Sequence, residues 1–129
     1  KCSNFCGVNF MSLPIPGSAV RGSKTGKPIM ALLDLLGRTW CLGIIWQLRQ
    51  GTLSFSELQL RCENISPTLL TKRLKELQQT NLIEKSLQGY QLTAIGLALF
   101  QVIAPLSQWS TLWQLSFDEQ QKLQENENE

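Results

Sequence analysis

The chain has 129 residues, of which 43% are hydrophobic, 17% charged and 8% aromatic, which suits one domain with its own core and excludes wholesale disorder. No run reaches the roughly 18 uninterrupted apolar residues that span a bilayer, and the first residues lack the order of a secretory signal, so we expect a cytoplasmic protein without membrane contact. The net charge of +2 divides into +6 over residues 1–117 and −4 over residues 118–129, and such a basic body predicts an anionic partner.

The composition predicts an extended N-terminal arm over residues 1–27, a folded domain over residues 28–117 and an acidic, flexible tail over residues 118–129. Within the arm, Met11-Ser12-Leu13 has the form of a translation start, which leaves open whether residues 1–10 belong to the native protein. The block Arg21–Lys27 is basic and rich in small residues, which predicts a segment that does not pack.

Two helices are predicted at the start of the domain. Pro28 suits a first helical turn, apolar residues follow it at helical spacing, and Gly37 ends the helix. The apolar residues of this first helix are Ile29, Leu32, Leu33 and Leu36. The second helix is expected from about Thr39 to Gln50, with an apolar stripe formed by Trp40, Ile44, Ile45 and Leu48.

The next two helices carry N-terminal capping signals. Ser54 followed by Glu57 forms a capping box, which predicts a short third helix ending near residues 62–64. Ser66 then suits an N-cap and Pro67 a first helical residue, so a fourth helix is expected to continue to about Thr80.

A hairpin and a long helix complete the domain. The runs Ile83–Ser86 and Tyr90–Thr93 read as strands around a connection over residues 87–89, where Gly89 indicates a tight turn. Residues 94–115 are expected to be helical, with a bend at Pro105.

This order predicts a mainly helical winged helix-turn-helix domain with a small β-hairpin, whose fourth helix enters the major groove of DNA. On a helical wheel, the leucines of that helix cluster on the core side, and a second group points away from them: Thr68, Thr71, Lys72, Lys75 and Gln79. Cations neutralise phosphates, and hydroxyl and amide groups reach base edges. An ordinary solvated helix has the same pattern, so the interpretation depends on the surrounding elements. Arg73 and Glu76 border the apolar side and are expected to form an internal ion pair, with a contact between Arg73 and a DNA phosphate as the alternative.

Several motifs in register resemble the HxlR-type winged-helix regulators, relatives of the MarR-like regulators. The matching segments, which lie between about residues 28 and 113, are Ala31–Trp40, Phe55–Leu58, Ile65–Pro67, Leu70–Leu77, Asn81–Glu84, Tyr90–Thr93 and Gly96–Trp109. The resemblance implies a homodimeric bacterial or archaeal transcription factor that binds double-stranded operator DNA and dimerises through its N-terminal and C-terminal helices. The chain departs from the family pattern in its short hairpin, in the position of Cys6 and in its basic arm.

The expected DNA contacts come from the fourth helix and its surroundings. Contacts with bases and phosphates are predicted for Ser66, Pro67, Thr68, Thr71, Lys72 and Lys75. Arg38 and Lys85 are expected to make secondary contacts with the DNA backbone. The arm Arg21–Lys27 is expected to follow an adjacent minor groove.

The absence of histidine and the isolation of the five acidic residues before residue 118 argue against an enzyme. The spacing of Cys2, Cys6, Cys41 and Cys62 does not suit a metal site, so neither a metal nor a cofactor is predicted. Cys41 and Cys62 are expected to be buried, inert thiols. Cys6 is a candidate redox switch, because some relatives in the resembled family sense oxidants through an N-terminal cysteine.

Three alternatives stay open. The domain could bind protein instead of DNA, a use that its short hairpin and modest net charge favour. It could act as a thiol-based redox-sensing regulator. The tryptophans of the last helix could also line a pocket for a small-molecule effector, although core or dimer packing is the simpler explanation for them.

Overall fold

The computed structural model describes residues 13–20 and 22–128. Over these residues the chain forms six helices, one 3₁₀ turn and two strands, in the order predicted from the sequence. The elements are α1 (Pro28–Leu36), α2 (Cys41–Gln47) with a 3₁₀ turn (Leu48–Gln50), α3 (Phe55–Arg61), α4 (Pro67–Gln79), β1 (Ile83–Ser86), β2 (Gly89–Leu92), α5 (Ala94–Ile103) and α6 (Leu106–Glu127).

The first helix has its predicted ends, but its buried face differs from the expected stripe. Ala31 and Leu35 are buried, whereas Ile29 and Leu33 are 53% and 56% exposed. The helix is apolar on more than one side, and only one side faces the core. The exposed side is therefore available to a partner.

The second helix begins at Cys41, two residues later than predicted. Trp40 adopts a left-handed backbone conformation with φ of 71°, so residues 38–40 form a turn instead of the first helical turn. This conformation is uncommon for a bulky residue and has no signal in a hydrophobic pattern. Ile44, Ile45 and Leu48 are buried as predicted.

Both predicted N-caps are confirmed. The Ser54 hydroxyl accepts a hydrogen bond from the Glu57 amide at 3.1 Å, and the Glu57 carboxylate accepts one from the Ser54 amide at 2.9 Å. The Ser66 hydroxyl likewise accepts a hydrogen bond from the Leu69 amide at 3.1 Å. These caps define where α3 and α4 begin.

The hairpin pairs β1 with β2 in antiparallel register, from Ile83 opposite Leu92 to Ser86 opposite Gly89. Gly89 is thus the first residue of β2, and the connection is the two residues 87–88 rather than the predicted three. Leu53 adds a bridge to Tyr90 through two backbone hydrogen bonds of 2.8 and 3.0 Å. The hairpin is therefore anchored to the segment that precedes α3.

The last helical region is broken where Pro105 predicted a bend, with α5 ending at Ile103 and α6 beginning at Leu106. Helix α6 continues through Glu127, so Asp118, Glu119, Glu125 and Glu127 are helical in the structure, whereas the sequence predicted a flexible tail over residues 118–129. The good helix formers Leu, Gln, Glu and Lys and the absence of proline or glycine after residue 105 in the sequence are compatible with this continuation.

The chain divides into two compact units, residues 1–97 and 98–129. In the first unit the core brings together helices α1 to α4, and its fully buried side chains include Ile44, Ile45, Leu58, Leu70 and Leu77. In the second unit most apolar side chains of α6 are exposed. By length and composition alone, Ala94–Glu127 is also apolar enough to cross a membrane, with a mean hydropathy of 1.3 over 18 residues.

The described part of the N-terminal arm is folded back on itself more than predicted. The Gly17 amide donates to the Gly26 carbonyl at 3.0 Å, and Val20 and Ser23 form a bridge. Pro14 is buried. Arg21, the first residue of the predicted basic block, lies outside the described residues.

Candidate nucleic-acid interface

Helix α4 separates an apolar face from a polar one. Leu70, Leu74 and Leu77 are buried, at no more than 2% exposure. The side predicted to point outward is exposed at every position, namely Thr68, Thr71, Lys72, Lys75 and Gln79. Within Pro67–Gln79 this exposed side carries two cations and no carboxylate, so its electrostatic potential suits an anionic surface.

The N-terminus of α4 lies next to this face. Ser66 and Pro67 are both exposed, and Pro67 occupies the first helical position. A helix N-terminus presents backbone N–H groups and the positive end of the helix dipole. The cap residues and the outward side chains of α4 are therefore all exposed to solvent.

The turn before α4 contains two residues that sequence reasoning did not single out. Glu63 and Asn64 have φ values of 56° and 59°, both in the left-handed region. The side-chain amide of Gln59 donates to the Ile65 carbonyl at 3.0 Å and ties the turn to α3. An Asn in this region is a weak turn signal in the sequence, whereas Glu63 gives none.

Arg38 lies apart from the exposed face. It is only 9% exposed, its Nη1 donates to Glu76 Oε2 at 2.6 Å, and its Nη2 lies 3.5 Å from Asp34 Oδ2. The expected contact between Arg38 and the DNA backbone does not match this arrangement, because the guanidinium is directed into the protein. Glu76 lies 38 residues further along the chain, and no local sequence pattern connects the two.

Arg73 occupies the other side of the same carboxylate. Its Nη1 donates to Glu76 Oε1 at 2.9 Å, and its Nε donates to the Thr39 carbonyl at 2.7 Å. The predicted internal ion pair between Arg73 and Glu76 is therefore confirmed. We refer to Asp34, Arg38, Arg73 and Glu76 as the ion-pair cluster.

Lys85 is exposed on β1, and its Nζ lies 5.6 Å from the centre of the Tyr90 ring. This distance permits a cation–π contact. The hairpin follows α4 after a short connection in which the Leu82 amide donates to the Leu77 carbonyl at 3.0 Å. Lys85 is thus carried by an element attached to the C-terminal end of α4.

Cys41 and Cys62 are free and buried, as predicted. Burial raises the pKa of both thiols, and that of Cys41 reaches about 11. Thiols of this kind are poor nucleophiles at neutral pH. Among residues 13–20 and 22–128, no group of three or more His, Cys, Asp and Glu side chains could hold a metal ion. Cys2 and Cys6 lie outside the described residues.

Comparison with known proteins identifies the group to which this domain belongs. The HxlR-like helix-turn-helix family model matches residues 35–117, which include α4, the hairpin and the cluster residues Arg38, Arg73 and Glu76. The chain belongs to the HxlR-like helix-turn-helix family. The resemblance inferred from the sequence motifs is thereby confirmed.

Similar proteins are transcriptional regulators from bacteria and archaea. The HTH-type transcriptional regulator YvaP of Bacillus subtilis, itself uncharacterized, is 32% identical over 88 residues, which cover 63% of this chain and 82% of YvaP. The quinone-bound YodB of B. subtilis is 33% identical with a TM-score of 0.61, over 65% of this chain and 96% of YodB. A possible HxlR family transcriptional factor from Thermoplasma volcanium is 28% identical with a TM-score of 0.61, over 68% of this chain and 85% of that one.

These findings assign a winged-helix fold and a class of function. HxlR-like proteins are transcriptional regulators, which form a non-enzymatic class, and this agrees with the sequence expectation of a protein that is not an enzyme.

Proposed function

We propose that this protein binds operator DNA as a homodimer in the cytoplasm and that α4 of each protomer enters the major groove. The observation that carries the proposal is the exposed side of α4, which has two lysines, two threonines and no carboxylate. An exposed helix of this width fits the major groove. Its position as the second helix of the helix-turn-helix pair supports the same use.

The residues of α4 have distinct roles in this proposal. Lys72 and Lys75 neutralise phosphates, while Thr68 and Thr71 contact base edges through short side chains. Ser66 and Pro67 begin the helix, whose first free backbone N–H groups bind a phosphate oxygen. Lys85 contacts the flanking DNA backbone from the hairpin. Arg38 is left out of this set because its guanidinium is committed to Glu76.

The basic arm supplies a further contact in this proposal. Lys24 and Lys27 are exposed, and the backbone hydrogen bond between Gly17 and Gly26 holds the segment in a closed loop. Such a loop follows a minor groove next to the site read by α4. Deleting residues 1–27 should then weaken DNA binding, and unchanged affinity after the deletion would reject this part of the proposal.

The homodimer is supported by apolar side chains that each unit exposes. Helix α1 exposes Ile29 and Leu33, and α6 exposes Trp109, Leu112 and Trp113 at 54–64%. Monomeric proteins rarely leave large apolar patches in contact with water. A second copy of the chain, related by twofold symmetry, covers such surfaces and presents two copies of α4 to a palindromic operator.

The proposal is tested by fluorescence anisotropy with mixed-sequence duplex DNA over a series of salt concentrations. Binding should weaken steeply with salt, with a log–log slope near −4 to −6 for the dimer. The double variant Lys72→Ala/Lys75→Ala removes four cations per dimer, so its slope should be shallower by about 3 to 4. Lys122→Ala, an exposed lysine of α6, is the matched control and should leave the slope unchanged.

A wild-type protein that fails to bind duplex DNA even at low salt would contradict the proposal. It would favour the alternative in which the domain binds another protein. Binding that is equally strong in the double variant would reject α4 as the DNA-binding element while leaving a DNA-binding function intact.

A second candidate function, redox-sensing regulation, is favoured by the YodB structures. They include quinone-bound and diamide-treated forms, and the latter is 32% identical to this chain with a TM-score of 0.55. We propose Cys6 as the sensing thiol because Cys41 and Cys62 are buried. Diamide should release DNA from the wild type but not from Cys6→Ser. Equal release from both proteins would reject this role.

A further inference from the structure

The outward lysines of α4 alternate with members of the ion-pair cluster along the helix. Lys72 precedes Arg73, and Lys75 precedes Glu76. The lysines are exposed, whereas the side chains of Arg73 and Glu76 are only 12% and 11% exposed. Successive residues of an α-helix are separated by about 100° around its axis. The direction in which the buried pair is held therefore determines where the two lysines point.

Glu76 is held by two arginines from different parts of the fold. Its Oε2 accepts a hydrogen bond from Arg38 at 2.6 Å, and its Oε1 accepts one from Arg73 at 2.9 Å. Arg38 lies in the turn between α1 and α2, whereas Arg73 belongs to α4 itself. Since each carboxylate oxygen has its own guanidinium partner, the contact specifies a direction as well as a distance.

A second attachment connects α4 to the same turn. Arg73 Nε donates to the Thr39 carbonyl at 2.7 Å. The turn itself is held by hydrogen bonds from the Arg38 amide to the Leu35 carbonyl and from the Cys41 amide to the Arg38 carbonyl, each 3.1 Å long. Two separate contacts thus fix α4 against one defined segment of backbone, which opposes rotation of the helix about its own axis.

Stability alone does not account for an ion-pair cluster in this position. The desolvation of buried charges offsets much of their mutual attraction, and apolar side chains of similar volume often stabilise a fold equally well. Leu70, Leu74 and Leu77 already attach α4 to the core. Apolar contacts have little directional preference. They therefore constrain the position of a helix more strongly than they constrain its rotation about its own axis.

We propose that Glu76 is a positioning residue for DNA recognition. Through its hydrogen bonds to Arg38 and Arg73, Glu76 sets the rotation of α4 about the helix axis. This inference depends on the proposed function, in which α4 enters the major groove. Under this inference Arg38 affects DNA binding by holding Glu76 and does not contact a phosphate. Correct rotation lets Thr68 and Thr71 reach base edges, whereas long lysine side chains still reach phosphates when the rotation is lost.

The test compares affinities for an operator, selected from random duplexes with the wild-type protein, and for mixed-sequence DNA. For Glu76→Gln the ratio of the two affinities should fall about tenfold or more, because base contacts are misaligned. The affinity for mixed-sequence DNA should stay within about twofold, and its salt slope should not change, since every phosphate-binding lysine is retained. Glu119→Gln, the same change at an exposed position of α6, should leave the ratio as in the wild type.

Arg38→Lys is the second variant, and it decides the question if Glu76→Gln does not fold. It keeps a positive charge next to Asp34 and Glu76 but loses the planar guanidinium that directs the bond. We expect a lower affinity ratio with an unchanged salt slope. Circular dichroism and the melting temperature establish that each variant is folded before its DNA binding is compared.

The outcomes separate this inference from the proposed function. A wild-type protein that does not bind DNA contradicts the proposed function itself. If the wild type prefers its operator and a folded Glu76→Gln or Arg38→Lys keeps the full affinity ratio, the positioning role is overturned and the proposed function is not. A salt slope that becomes shallower in Arg38→Lys would also overturn it, because it would indicate a direct phosphate contact by Arg38.

Discussion

At the scale of single residues, the core of the first unit contains a thiol within electrostatic reach of the ion-pair cluster. Cys41 is fully buried, and burial raises the pKa of its thiol from 9.0 to about 11. Arg73 opposes this rise and Glu76 adds to it, so the two charges partly cancel. Desolvation is therefore the main cause of the raised pKa of Cys41, because a thiolate in this position would lose its hydration.

The raised pKa predicts that Cys41 resists alkylation. At pH 8 a thiol with a pKa of about 11 is only about 0.1% thiolate, and the thiolate is the reactive form. Iodoacetamide should therefore leave Cys41 unmodified in the folded protein and modify it in guanidinium chloride, as measured by mass spectrometry of tryptic peptides. Rapid labelling of Cys41 in the folded protein at pH 8 would contradict its burial.

The same shift gives a direction for the pH dependence of stability. The neutral thiol of Cys41 is favoured in the folded state, so its contribution is fully present below about pH 9, the pKa of an unperturbed thiol. The contribution is lost as the pH rises from 9 towards 11, because the unfolded chain releases the proton first. Chemical unfolding curves of Cys41→Ala should show a weaker loss of stability over this interval than those of the wild type.

Arg38 shows which properties of single residues a sequence can and cannot predict. An arginine near the start of a helix in a helix-turn-helix domain is a reasonable candidate for a DNA contact. Its actual partner, Glu76, is 38 residues away and is reached only through tertiary packing. By contrast, Arg73 and Glu76 are three residues apart on one helix, and their ion pair follows from helical geometry alone.

At the scale of elements, local chemistry predicted the helices whose first turn carries a capping serine or a proline. Ser54, Ser66 and Pro28 each carry a signal that depends on a few neighbouring residues, and α1, α3 and α4 begin where these signals are found. The start of α2 was predicted two residues too early because Trp40 adopts its left-handed conformation in a tertiary context. The bridge between Leu53 and Tyr90 was not predicted, since it joins segments 37 residues apart.

Gly89 couples the hairpin to the rest of the first unit. Its φ of 141° disfavours any other residue, and a Cβ atom at this position would collide with the backbone carbonyl of Leu53. We expect Gly89→Ala to destabilise the protein by about 1 to 3 kcal/mol, measured by urea unfolding. Gly51→Ala is the control for backbone strain without a collision, because Gly51 has a φ of 148° and open space around its Cα.

The comparison of the two glycine variants separates the cost of backbone strain from the cost of a collision with Leu53. If Gly89→Ala costs no more stability than Gly51→Ala, the close approach of Leu53 to the hairpin makes no energetic contribution. A larger loss for Gly89→Ala would show that the bridge between Leu53 and Tyr90 needs this glycine.

At the scale of the whole molecule, the distribution of charge and exposure indicates where a partner binds. The chain has no charged residue between residues 94 and 117, and acidic residues follow from Asp118. Within α6, Trp109 and Trp113 stack with their ring centres 5.8 Å apart, and Phe117 meets Trp113 edge-on at 5.6 Å. Since residues at this spacing share one face of a helix, α6 has an aromatic face that water covers poorly.

The proposed homodimer predicts that a charge on this aromatic face separates the protomers. Trp113 is 54% exposed in a single chain, so a glutamate replacing it is solvated in the monomer and desolvated in the dimer. Trp113→Glu should therefore shift sedimentation velocity profiles at micromolar concentration from dimer to monomer while leaving the helical content unchanged. Gln108→Glu adds the same charge to an exposed position of α6 on the side away from the aromatic face, and it should remain dimeric.

Loss of the dimer should also weaken DNA binding, because two copies of α4 bound to one palindromic site act at a high effective concentration. We therefore expect Trp113→Glu to bind the operator more weakly than Gln108→Glu, with a salt slope about half as steep because one protomer contacts half the phosphates. A wild-type chain that sediments as a monomer, or a dimer that survives Trp113→Glu, would contradict this role of α6. Binding of the monomeric wild type to lipid vesicles would instead assign the aromatic face to a membrane surface, an assignment that the hydropathy of residues 94–127 makes worth testing.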